Sequence, residues 1–140
     1  MKCDVLWLGQ GVGFVAKTGS GHMVPMDGAQ EYGGENLAPR PMELLLAGMG
    51  GCTAFDVVTM LKKGRHAVTG CQVEITATRA ETDPKVFTAI HLNYIVRGHA
   101  LKLEAVDRAI KLSKEKYCSA SIMLGHTAEI SYSLNLEDEN

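Results

Sequence analysis

Between Pro41 and Gly64 the sequence PMELLLAGMGGCTAFDVVTMLKKG is helical in character and offers no polar face. Leu44, Leu45, Leu46, Met49, Phe55, Val57, Val58, Met60 and Leu61 are distributed around the whole helical wheel. Glu43, Thr53, Asp56 and Thr59 are the only polar side chains before the lysines. Pro41 suits the first turn, Gly64 can cap the last, and Lys62, Lys63 and Arg65 suit the negative end of the helix dipole. Such a helix is about 36 Å long, roughly the diameter of a domain of this size. With no polar face it must be covered on every side. A membrane is one cover, but Asp56 near the centre would cost about 3 kcal/mol there, and the rest of the chain has soluble amphipathic patterning. One sheet covers one side of a helix, and too little other chain remains to cover the rest. The sequence therefore predicts a homodimer.

The elements on either side fit one soluble α+β domain spanning residues 1–140. Before the helix, the apolar segments 3–8, 13–16 and 22–26 are separated by glycines, the pattern of a small antiparallel meander. Gly9-Gln10-Gly11-Val12-Gly13 resembles half a phosphate loop, but no helical pattern follows it, so a β-turn is expected. The stretch from Gly28 to Pro41 reads as an ordered loop. After Gly70 the period becomes two. Cys71, Val73, Ile75 and Ala77 share one strand face, and Val86, Ile90, Leu92, Tyr94 and Val96 share another across a turn at Asp83-Pro84. Helical spacing returns over Leu101 to Lys116, with Leu103, Val106, Ile110 and Ser113 inward. A short apolar turn follows from Tyr117 to Leu124. Ala128, Ile130, Tyr132, Leu134 and Leu136 alternate as a last strand.

The bulk properties exclude several classes of function. A formal charge of −2 with 21% charged residues leaves no electrostatic footprint for nucleic acid. The opening residues Met1-Lys2-Cys3-Asp4-Val5 lack the pattern of an export signal, which points to a cytoplasmic protein. Four cysteines with no CxxC and no Cys/His ligand spacing argue against a disulfide scaffold and against a structural zinc site. His22, His66, His91, His99 and His126 likewise show no paired metal spacing.

The cysteines are then either buried thiols or reactive ones. Cys3 and Cys71 fall on apolar strand faces, where a cysteine acts as a small hydrophobe. Cys52 follows Gly48, Gly50 and Gly51, each of which costs about 1 kcal/mol relative to alanine inside a helix. Close packing between helices would offset that cost, and in that reading Cys52 is one more small residue. Cys118 stands at the start of a short helix beside Lys116, a setting that activates a thiol. In isolation it reads rather as a buried structural cysteine. The two form a reactive and resolving pair only if their helices touch. Asp56, one turn after Cys52, reads either as a tuning group or as a paired acid inside the dimer.

The run PMELLLAGMGGCTAFDVV over Pro41–Val58, followed by EKYCS over Glu115–Ser119, resembles the OsmC/Ohr family in its YhfA-like branch. The likeness covers nearly the whole chain, including the order of elements. It implies an OsmC-like α+β fold, antiparallel sheets around a long central helix, and an intertwined homodimer with active sites at its interface. It also implies thiol-dependent reduction of hydroperoxides, preferably organic ones, in oxidative-stress defence. By position Cys52 takes the place of the peroxidatic thiol and Cys118 that of the resolving thiol, so that a Cys52 sulfenic acid condenses with Cys118 to a disulfide. No cofactor is implied beyond an external dithiol reductant.

The remaining family positions match less closely. The family carboxylate lies ten residues before the reactive cysteine, which here is Met42. Glu43 comes one residue later, about 100° away on an ideal helix. The family arginine comes from the N-terminal region. Arg40 is the only arginine before Cys52, and Lys17 is a weaker substitute. Arg40 and Glu43 are the candidates for these roles, although each also reads as a solvated charge. The departure leaves open a non-catalytic protein of the same fold that binds a small molecule or senses redox state.

Overall fold

The structure, a computed structural model, describes residues Met1–Asn140. The chain divides into two compact units, Met1–Ala47 and Gly48–Asn140.

In the first unit, β1 (Cys3–Trp7), β2 (Phe14–Thr18) and β3 (Met23–Met26) form an antiparallel meander in that order. The glycine run between β1 and β2 is the expected turn: Gly9 and Gly11 have φ of 86° and 51°, and the Leu8 N–H donates to the Gly13 carbonyl. Every residue of β1 is exposed, Cys3 included, so the expectation that Cys3 belongs to a core is corrected. The physical reason is that neither face of β1 is covered, so alternation along the strand buries nothing.

The loop that follows is ordered around Asp27. Its carboxylate accepts from the backbone N–H groups of Gly28, Glu35 and Leu37 at 2.7, 3.1 and 3.1 Å. Those bonds, with the nearby Arg40 charge, hold its carboxyl below the usual range although burial acts the other way. The loop folds so tightly that a Cβ on Gly34 would sit 2.1 Å from the Gly28 carbonyl oxygen, which only glycine permits.

Helix α1 (Pro41–Lys63) occupies the predicted span and crosses the boundary between the units. Its last turn closes through Arg65 N–H to the Lys62 carbonyl and His66 N–H to the Leu61 carbonyl. Gly64 is the C-cap residue as expected, while the left-handed position after it is filled by Arg65, with φ of 59°, rather than by a glycine.

In the second unit, β4 (Ala67–Arg79), β5 (Phe87–His99) and β6 (Glu129–Asp138) form a sheet with β5 central. Between β5 and β6 come α2 (Leu103–Leu112), a π-helical turn (Ser113–Tyr117) and α3 (Ser119–Leu124). β4 and β5 are antiparallel, as a hairpin must be. β5 and β6 run parallel, so this sheet is mixed rather than wholly antiparallel; the helical crossover between them returns the chain in the same direction. Alternation on β5 is regular, burying Ile90, Leu92, Tyr94 and Val96. On α2, Val106, Ile110 and then Ser113 turn inward as expected, but Leu103, the first residue of the helix, stays exposed.

Leu92 is wholly buried at the centre of this sheet. Leu92→Ala should cost about 3 kcal/mol, read as a lower urea midpoint with the slope of the transition unchanged.

Candidate active site

Within Gly48–Asn140 only one stripe of α1 is buried: Met49, Thr53, Val57 and Leu61, spaced four residues apart. Gly50 borders this stripe, and a Cβ there would lie 2.9 Å from Ile75 Cδ1 on β4. That contact explains one of the three costly glycines. Gly48 and Gly51 face open space, with nothing within 4 Å of an added Cβ. Cys52 stands beside the buried stripe, half-buried, with Asp56 one turn further on.

Cys118 reaches the same place from the other side. The π-helical turn ends with the Cys118 N–H donating to the Ser113 carbonyl at 2.8 Å, one residue wider than an α-helical bond. Cys118 then caps α3, its Sγ accepting from the Ser121 N–H at 3.4 Å. The thiol is fully buried. Burial pushes it up; contacts from Ser121 act the other way, and neighbouring Cys52 adds to the rise. Cys118 is therefore a protonated thiol at neutral pH. The hydroxyl of Ser121 is buried with no hydrogen-bond partner.

The geometry thus brings together Cys52 and Cys118, which lie 66 residues apart in sequence (118 − 52). Their sulfurs and a carboxylate oxygen of Asp56 all lie within 4.8 Å of one another, and both thiols are free. Asp56 is held by the Ser113 hydroxyl, which donates to Oδ2 at 2.9 Å. Behind it runs a buried chain of hydroxyls: Ser113 Oγ to Thr53 Oγ1 at 2.8 Å, and Thr53 Oγ1 to Tyr94 at 2.7 Å. Ser113 thus holds both sides of the site, its carbonyl fixing Cys118 and its side chain fixing Asp56.

Arg40 and Glu43 belong to the first unit, and there they bond to each other. Glu43 Oε2 accepts from the Arg40 backbone N–H at 2.9 Å, and the Arg40 carbonyl takes the first helical bond from the Leu44 N–H at 3.2 Å. This is the acidic half of a capping box with Pro41 at the first helical position. The Arg40 guanidinium donates to Asn36 Oδ1 at 2.6 Å and to the Ala38 carbonyl at 3.3 Å.

Sequence reasoning missed Thr53, Tyr94 and Ser121 as parts of this site, and took Ser113 only as an inward-facing residue. The one available signal was a hydroxyl on each inward stripe, Thr53 on α1, Tyr94 on β5 and Ser113 after α2. Burial pushes the Tyr94 hydroxyl from its ordinary 10 up to about 12, although Thr53 favours ionisation. Between those values the unfolded chain has lost this proton and the folded chain keeps it, so stability falls as pH rises through the window. Tyr94→Phe should cost about 1 kcal/mol at neutral pH through the lost bond to Thr53. It should also flatten the fall between pH 10 and about 12, as read from denaturant midpoints across that range.

A family model described as OsmC-like protein matches residues 33–133. Protein YhfA of Escherichia coli strain K12 is 44% identical over 133 residues, which span 95% of this chain and 96% of that protein. A crystal structure of a hypothetical protein from Aquifex aeolicus VF5 is 29% identical with a TM-score of 0.80, covering 98% of this chain and 97% of that one. The organic hydroperoxide resistance protein OsmC of Legionella pneumophila, at 16% identity, shares the fold with a TM-score of 0.71 over 96% of this chain and 95% of its own. A family match across most of the length, joined to a full-length relative at 44% identity, makes this chain a member of the OsmC-like family.

Proposed function

We propose that the protein reduces hydroperoxides through Cys52 and Cys118 at the expense of an external dithiol. The observation that carries this reading is the approach of the two sulfurs to within 4.8 Å, one half-buried on a long helix and the other fully buried. In the first step the Cys52 thiolate attacks a peroxide oxygen, the O–O bond breaks, and an alcohol or water leaves once it gains a proton. Cys52 is then a sulfenic acid, and Cys118 condenses with it to a disulfide and water. A dithiol returns both to thiols. A redox-sensing or ligand-binding role of the same pair is favoured by one observation: Arg40 and Glu43 are engaged at the start of α1 with each other and with Asn36 and Ala38.

The reading includes a homodimer. Gly48, Gly51 and Phe55 form an open stripe on α1, and Phe55 is 70% exposed beside an open groove shared with Val58, Lys62 and Cys71. A second copy of the helix would cover this stripe, and glycines permit close approach of two backbones. Sedimentation at nanomolar concentration should show a dimer, and Gly51→Trp, whose Cβ would meet nothing in its own chain within 4 Å, should split or destabilise it. A folded wild-type monomer, or a Gly51→Trp dimer of wild-type stability, overturns the dimer.

The activity is tested with a dithiol-coupled assay on cumene hydroperoxide and hydrogen peroxide. The wild type should consume the organic peroxide faster, and Cys52→Ser should consume neither. Cys118→Ser should reduce one peroxide per subunit and then accumulate sulfinic acid, detected by mass. Wild-type consumption no faster than that of Cys52→Ser means that the sensing or binding role replaces the enzyme.

A further inference from the structure

The resolving step has a proton to move, and it starts on a buried thiol. The thiol is fully buried and carries its proton at neutral pH, because burial pushes it up. Before or while its sulfur bonds to the oxidised Cys52, that proton has to leave. At the same moment the hydroxyl of the sulfenic acid has to depart, and hydroxide is a poor leaving group unless it is protonated. One group near both sulfurs can take a proton and return it, and that group is the Asp56 carboxylate, within 4.8 Å of each.

Its hydrogen bonding suits the task. Ser113 donates to Asp56 Oδ2, so the single Ser113 hydroxyl proton is committed to the carboxylate. Thr53 must then donate to Ser113, and Tyr94 to Thr53, because each hydroxyl has one proton to give. Three buried hydroxyls therefore point the same way and end on one oxygen of Asp56. Tyr94, pushed up to about 12, remains a donor throughout the physiological range. Oδ2 is fixed by this chain, and the carboxylate it belongs to lies within 4.8 Å of both sulfurs. The titratable groups tied to Asp56 are Cys52 on its own helix, Cys118 after the π-helical turn, and Tyr94 on β5 at the far end of the chain.

We propose that Asp56 is the proton carrier of the resolving step, taking the Cys118 S–H proton as that sulfur attacks and delivering it to the oxygen that leaves Cys52. The step balances without any other reagent. The Cys118 S–H and Cys52 S–O bonds break, and the S–S bond and one O–H bond of water form. Cys118 supplies the electron pair of the new bond and is oxidised, while the sulfenic sulfur is reduced. The inference rests on the thiol-pair reading above and deepens it.

The test uses a disulfide in place of a peroxide, so its outcome is separate from peroxidase activity. The reduced full-length protein is mixed with 5,5′-dithiobis(2-nitrobenzoate). Attack by Cys52 releases one thionitrobenzoate and leaves a mixed disulfide, and attack by Cys118 on that disulfide releases the second. Stopped-flow absorbance follows both. At neutral pH, Asp56→Asn should slow the second release relative to the first on the order of 100-fold, a typical contribution of a positioned base. The deficit should close as pH rises and Cys118 ionises without help, and Asp56→Glu should restore part of the rate. Ser113→Ala, which leaves the carboxylate but removes its tether, should slow the second release by a smaller factor and serves if Asp56→Asn does not fold. A second release unchanged in Asp56→Asn, slowed equally at every pH, or absent from the wild type overturns the proposal. Peroxide inactivity combined with a normal Asp56-dependent second release would instead overturn the peroxidase reading alone.

Discussion

Helix α1 is buried along a stripe one residue wide, and the chemistry of the second unit depends on what that stripe meets. Met49, Val57 and Leu61 lie in the apolar interior, each contributing about 1.5 to 3 kcal/mol by leaving water. The same rotation fixes Thr53 inward, where it bonds to Tyr94, and sets Cys52 and Asp56 at the border of the buried stripe. Gly50 lets the helix sit close enough to Ile75 for this to hold. A rotation of one residue about the helix axis would bury Cys52 and expose Thr53. Hydrophobic packing thus sets the rotation of the helix and with it the place of the thiol, and Ser113 then fixes the carboxylate.

The polar chain running through that interior has the opposite character. Tyr94, Thr53 and Ser113 are wholly buried, and each unpaired hydroxyl would cost about 1 to 3 kcal/mol. Their mutual bonds remove that cost and tie three elements together: the long helix, the central strand and the π-helical turn. The Tyr94 ring adds an edge-to-face contact with Tyr132 at 6.1 Å, and the Tyr132 hydroxyl donates to Asp107 on α2 at 2.7 Å. Polar groups thereby specify which face of each element points inward, a choice that apolar residues of similar size leave less sharply defined.

Much of this was legible in the sequence, for reasons that differ by residue. Pro41 and the lysines marked the ends of α1 because helix termini have their own chemistry, and the period of two over Ile90 to Val96 marked the buried face of β5. Cys52 and Cys118 were singled out by their helical settings and by the family resemblance. Their proximity was not legible, because it depends on contacts between residues 41, 57 and 60 positions apart. Nor was the parallel pairing of β6, which follows from the crossover path rather than from the strand's own alternation. Cys3 misled because alternation along β1 implies a covered face, and every residue of that strand is exposed. Glu43 was weighed for chemistry, yet its place three residues after Arg40 is the spacing of a cap, a local signal that the sequence did contain.

The π-helical turn at Ser113–Tyr117 has a consequence for how such a site changes over time. It holds one residue more than an α-helical turn, and that residue sets where the extended Cys118 leaves the helix to cap α3. Loss of a single residue from this turn would restore regular winding and carry the cysteine out of reach of its partner, while leaving Val106 and Ile110 packed as before. Gain of the residue would do the reverse. A turn that presents its thiol to the partner and one that turns it away are therefore separated by one codon inserted or deleted.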